Sequence, residues 1–146
     1  FVKKLVSDFP KQIRGVKDSS ENLFENLKIP NFDIYIGSEA KLLKNLELGG
    51  AGTISAITQV THSLARKVFD DFEKKQKQTQ NQKLINIRNT FNEYNLISAL
   101  HSYLSVEDPN FKNLLPPLVL LSEEKKQELL TKLKKLDFMP RKGKAA

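Results

Sequence analysis

Ile13-Arg14-Gly15-Val16-Lys17-Asp18-Ser19-Ser20 is the stretch on which the fold reading turns. A short apolar run, Ile13-Arg14-Gly15-Val16, predicts a buried strand, and a single amine follows at its end. Asp18, answered three residues later by Glu21, predicts a capping box opening a helix over 18–27. Two more segments share the strand character, Phe32-Asp33-Ile34-Tyr35-Ile36 and Thr53-Ile54-Ser55-Ala56-Ile57. Both are β-branched or aromatic and bounded by turn residues. Between them, 38–48 carries Ala40, Leu42, Leu43, Leu46 and Leu48 and stops at Gly49-Gly50, the pattern of a helix with a glycine C-terminus. Strands alternating with helices predict βαβ units and a parallel sheet with right-handed crossovers.

After Ile57 the periodicity is helical only. Leu64, Ala65, Val68, Phe69 and Phe72 fall on one side of a helix over 60–75. The polar run 74–82 (Lys-Lys-Gln-Lys-Gln-Thr-Gln-Asn-Gln) contains good helix formers and predicts an exposed helix junction, not a domain linker. Further helices are expected over 84–94 and 96–104. Ser122 is placed to cap a last helix with Leu129, Leu130, Leu133 and Leu136 on its buried stripe. The opening residues Phe1, Leu5, Val6 and Phe9 give an amphipathic helix already under way, with no initiator methionine, which predicts a piece of a longer protein.

Composition excludes several function classes. At 146 residues the chain suits one domain burying roughly 70% of its unfolded surface. Apolar content of 39% and charged content of 28% are ordinary for a folded soluble chain. No apolar run approaches the ~18 residues of a membrane span. The absence of cysteine removes disulfide and thiolate chemistry and fits a reducing compartment. His62 and His101 are far apart with no companion at ligand spacing, so no metal site is expected. The net charge of +7 is concentrated at the end, where 122–146 holds eight Lys or Arg against four Asp or Glu. No aromatic side chains interleave with these bases for stacking, so a solvated face is expected and nucleic acid is not.

Together these stretches resemble one family. Ile13-Arg14-Gly15-Val16-Lys17-Asp18-Ser19-Ser20 resembles the Schiff-base strand of the dihydrodipicolinate synthase and N-acetylneuraminate lyase family. Tyr35-Ile36-Gly37-Ser38-Glu39 is similar to that family's next strand and turn. Leu46-Glu47-Leu48-Gly49-Gly50-Ala51-Gly52-Thr53-Ile54-Ser55-Ala56 resembles its final barrel strand, and Leu115-Pro116-Pro117-Leu118 its loop before the last helix. The resemblance implies an α/β fold, the C-terminal part of a (β/α)8 TIM barrel. The chain would hold strands six to eight with their helices in 1–58, and the last barrel helix with a helical extension in 59–146.

The implied activity is that of a class I aldolase or lyase acting on pyruvate or a related 2-oxo acid. An aldehyde or sugar acid is the second substrate, and no cofactor is needed. By this match Lys17 is the nucleophile that forms an imine with the carbonyl carbon. Such chemistry needs an unprotonated amine near neutrality, whereas free lysine titrates near ~10.4, and burial at a barrel mouth supplies depressions of the size required. The match also makes Gly37, Ser38 and Ile54 substrate-binding residues, Ile54 through its main chain. Apart from that resemblance, Gly37 reads as a turn glycine, Ser38 as a helix cap, Glu39 as a favourable charge at a helix start, and the Ile54 side chain as core packing. The family's proton-relay tyrosine and carboxylate-binding hydroxyls belong to earlier strands, so Tyr35, Tyr94 and Tyr103 take none of those roles. The resemblance further implies a cytoplasmic homo-oligomer, commonly a tetramer. Departures at Glu21, at 94–101 and at Leu120 weigh against dihydrodipicolinate synthesis in particular and leave imine chemistry untouched.

Overall fold

The computed structural model describes residues 1–20 and 22–140. The chain divides into two compact units, Phe1–Leu84 and Ile85–Ala146. The first carries the sheet, and its elements run α1 (Val2–Asp8), β1 (Gly15–Asp18), α2 (Leu23–Asn26), β2 (Asp33–Ile36), α3 (Leu42–Glu47), β3 (Gly52–Thr53) and α4 (Thr58–Glu73). A 3-10 turn, Glu39–Lys41, leads into α3. The three strands are parallel in the order β1-β2-β3, as the strand-helix alternation predicts.

Strand boundaries differ from the sequence expectation. β1 lies two residues later than 13–16, because pairing with β2 runs from Gly15↔Asp33 to Asp18↔Ile36. β3 starts one residue earlier than expected and keeps only Thr53 of 53–57. The chain then turns toward α4, with Ser55 O accepting from Thr58 Oγ1 and Ile57 fully buried at the helix start.

Alternation along β1 and β2 separates two faces. Val16, Ile34 and Ile36 pack with Phe24 and Leu27 of α2. A second apolar cluster joins Leu42 and Leu46 of α3 to Ala65 and Val68 of α4, with Leu84. Hydrophobic burial thus joins α2 to the sheet and α3 to α4.

Three polar contacts fix the connections. Asp18, 1% exposed, ends β1 and accepts from Leu23 N at 2.7 Å, Phe24 N at 3.3 Å and Ser20 N at 3.0 Å. Its carboxylate therefore caps α2 from five residues away, and the helix is shorter than the expected 18–27. The expected capping-box partner, Glu21, lies outside the described residues. Asn45 of α3 donates through Nδ2 to Ile34 O at 3.1 Å and Gly52 O at 2.9 Å, tying β2 to β3 from beneath. Gly50 is needed beside it, since a Cβ there would lie 2.1 Å from Asn45 Oδ1. Asp71, on α4 and 1% exposed, pairs with Lys67 and accepts from Thr79 Oγ1 at 3.1 Å and Thr79 N at 3.4 Å. Gln78 Nε2 adds a bond to Val68 O at 3.1 Å, so the polar run folds back on α4 as an ordered junction.

The second unit is helical. Within it, α5 (Asn81–Asn92, begun in the first unit), α6 (Leu96–Leu104) and α7 (Glu123–Lys135) fall close to their expected spans. Asn95 Oδ1 caps α6 by accepting from Ser98 N at 3.1 Å, and Ser122 Oγ caps α7 from Lys125 N at 3.3 Å. Leu129 and Leu133 are fully buried as the stripe predicts. Tyr103 meets Phe91 edge-on at 5.7 Å and stacks on Phe138 at 5.6 Å, and burial pushes its phenol pKa up. The basic end from Arg141 onward lies outside the described residues. Among those described, no helix is long and apolar enough to cross a membrane.

Two outcomes follow. Asn45→Ala removes two buried bonds and is expected to destabilise by about 1–3 kcal/mol in chemical unfolding; an unchanged midpoint would show that other contacts hold β3. The hydrogen bond from Lys67, followed by those from Thr79, holds the Asp71 carboxyl below its ordinary value. That contribution to stability is whole above ~3.9 and disappears as pH falls from there through the depressed value. Thermal melts of Asp71→Asn should therefore lose less stability between pH 6 and the acid limb than the parent does, and parallel acid limbs would contradict this.

Candidate active site

The face of the sheet away from α2 and α3 carries the sequence-predicted nucleophile. Lys17 is exposed on β1, between Val16 and Asp18, which turn toward the helices. Register places Lys17 opposite Tyr35 on β2, and Tyr35 opposite Gly52 on β3. The three residues form one row across the whole sheet. One row lower, Gly15 faces Asp33 so closely that a Cβ on Gly15 would sit 2.7 Å from Asp33 O.

At the C-terminal edge the other predicted residues gather, but not in the roles their residue types suggested. Gly37 N donates to Asp18 O at 2.8 Å. A Cβ on Gly37 would lie 2.9 Å from Ser19 Oγ and 3.0 Å from both Asp18 O and Ser19 Cα. The missing side chain thus admits the backbone that follows Lys17, and no positive φ is involved. Ser38 is 5% exposed in an extended conformation (φ −134°) ahead of the 3-10 turn, and its side chain makes no capping bond, contrary to the expected cap. Glu39 is fully buried, with Thr61 Oγ1 3.4 Å away, and is an interior residue more than a surface charge at a helix start. Ile54 continues the ladder through its N–H to Ile36 O at 3.0 Å, while its side chain is 50% exposed and not in the core.

Sequence reasoning missed two neighbours of Lys17. Tyr35 shares its row, and Gly52 supplies the gap beside it, with φ +149° and a would-be Cβ 3.7 Å and 3.8 Å from the Tyr35 ring. The signal was available in part: Lys17 and Tyr35 each stand two residues before a turn residue of a parallel strand, and equal offsets in paired strands imply one face.

A cleft of about 610 Å³ lies between β3 and α4, lined by Gly52, Thr53, His62, Arg66 and Phe69 among others; it meets the row at Gly52 and includes neither Lys17 nor Tyr35. His62 is exposed, and His101 Nδ1 lies 2.9 Å from Phe111 O with the Phe111 ring edge-on at 5.8 Å, a packing role. Among the described residues no group of three or more His, Cys, Asp or Glu side chains is arranged to hold a metal ion.

Several solved structures share this fold. Dihydrodipicolinate synthase from Agrobacterium tumefaciens is 23% identical, with a TM-score of 0.76 over 92% of this chain and 47% of that one. YagE, a prophage protein of the dihydrodipicolinic acid synthase family from E. coli K12 in complex with pyruvate, is 22% identical at a TM-score of 0.81, over 94% and 50%. The enzyme from Cyanidioschyzon merolae with lysine bound is 18% identical at 0.79, over 94% and 49%. The chain thus spans about half the length of the solved structures it matches. No curated protein sequence matches it at a significant level. The family profile described as the dihydrodipicolinate synthetase family matches residues 1–136, and the chain belongs to that family.

Proposed function

We propose that the chain is the C-terminal part of a (β/α)8 barrel in a Schiff-base-forming carbon-carbon lyase or aldolase, with pyruvate or a related 2-oxo acid as its substrate. In this reading 1–58 supply strands six to eight, and 59–146 the last barrel helix and a helical extension. The observation that carries it is the placement of Lys17. It stands on the face of a parallel sheet turned away from α2, in a chain whose family profile covers 1–136.

Lys17 Nζ adds to C2 of the 2-oxo acid, and the adduct loses water to form an imine. The imine accepts the electron pair left when a C3 proton departs to a base from the earlier strands, giving an enamine. Its C3 attacks the carbonyl carbon of an aldehyde, and water then cleaves the imine and returns the amine; lyase chemistry runs the same steps backward. Ile54 and Gly37, whose N–H groups go to Ile36 O and Asp18 O, offer main-chain carbonyls to the protonated imine, and Ser38, next to Gly37, is the third substrate-binding residue of this reading. Lys17 is exposed on this sheet, so the water-poor surroundings that imine chemistry needs come from strands closing over this face. A cytoplasmic homo-oligomer, commonly a tetramer, completes the reading, with no cofactor.

The same exposure, with the half-length span, favours a second reading: a family fold retained without a working pocket. The reading frame upstream of Phe1 separates them. Five preceding strand-helix units support the enzyme, and a start codon close to Phe1 supports the inactive piece.

Incubating the protein expressed from its complete reading frame with pyruvate and borohydride, then mapping peptides by mass, is expected to place the adduct on Lys17. Lys17→Ala should abolish trapping and leave assembly intact; turnover retained in that variant would refute the assignment. Gly37→Ala pushes the backbone after Lys17 and is expected to destabilise by about 1–3 kcal/mol and slow trapping. A Gly37→Ala protein of parental stability and trapping rate would mean that Asp18 and Ser19 yield freely.

A further inference from the structure

We propose that Tyr35 is the specificity wall of the Lys17 site, limiting the 2-oxo acids that reach the amine to those with a short chain beyond the carbonyl. The proposal rests on the reading of Lys17 as the imine-forming nucleophile.

Three observations carry it. First, Tyr35 is the register partner of Lys17 on the adjacent parallel strand, so both side chains rise from the same face about 4.8 Å apart at the backbone. Tyrosine and lysine extend to similar heights, so the phenol ring stands level with any group bonded to Nζ. Second, the ring is seated over Gly52, whose would-be Cβ would be 3.7 Å and 3.8 Å from Cδ1 and Cε1. The φ of +149° at Gly52 disfavours any side chain there, so this notch is fixed by the backbone. The ring is half-buried, while Lys17 beside it is exposed. Third, Asp33 is exposed on the same face one row lower, beside Gly15. Its carboxylate repels that of a bound 2-oxo acid, directing the substrate carboxylate away from this row toward the C-terminal edge of the sheet. The group on the other side of C2 is then turned toward the Tyr35 ring, where extra methylenes have no room.

The test is the rate of borohydride trapping for 2-oxo acids of three, four and five carbons (pyruvate, 2-oxobutyrate and 2-oxovalerate), using the protein from its complete reading frame. The parent is expected to lose about tenfold or more per added methylene, the usual discrimination of a fitted pocket. Tyr35→Leu should lower the pyruvate to 2-oxobutyrate ratio by about tenfold, and Tyr35→Phe, which keeps the ring, should preserve it. The ratio is insensitive to a general loss of folded protein, because both acids meet the same population. If Tyr35→Leu does not fold, the parental series and Tyr35→Phe still decide. A flat parental series, or a ratio unchanged in Tyr35→Leu, overturns the wall while trapping at Lys17 leaves the nucleophile in place. Failure of the parent to trap any of the three overturns both.

Discussion

Pairing of β1 with β2 in parallel register is the constraint from which the rest of the site derives. With Lys17 against Tyr35 and Asp18 against Ile36, one side chain of each neighbouring pair on β1 goes to the helices and the next to the open face. A slip of a single residue would exchange those faces, burying an amine among Phe24, Leu27 and Ile34 and exposing Val16. The cost of burying an unpaired charge makes that slip prohibitive, so apolar packing behind the sheet is what holds Lys17 in front of it.

Glycine sets the spacing around this register. Gly37 and Gly15 are both places where a methyl group would strike the backbone of an adjacent strand, and Gly50 makes room for the Asn45 amide. Gly52 combines a backbone conformation that other residues avoid with van der Waals contact to the Tyr35 ring. Asp18 then joins the strand end to the start of α2, so residues on both sides of Lys17 are held, one by the ladder and one by a buried carboxylate. The root of the Lys17 side chain is thus fixed on both sides while the side chain itself is exposed.

Much of this was legible along the chain. The three strand segments, the helices at 96–104 and after Ser122, and the buried stripe of Leu129 and Leu133 follow from periodicity and capping residues. Boundaries near the site were less legible. The first strand runs on through Lys17 and Asp18 because a partner strand satisfies their backbone groups, which no local preference reveals. The third strand ends early because the segment after Thr53 turns to bury Ile57. Ser38 was read as a cap and makes no capping bond, and Glu39 stands in the first turn as read, but the fold buries both.

By itself, then, the sequence determined the alternation of strand and helix, the caps, and a lysine at a strand end within a recognisable family pattern. Only the tertiary structure decided that Tyr35 and Gly52 stand in line with that lysine, that Gly37 serves the backbone after it, and that Asp18 caps a helix at a distance. The physical reason is that periodicity and capping are local properties of a few successive residues. Register and close approach, in contrast, exist only between segments some twenty residues apart, once burial has brought them together.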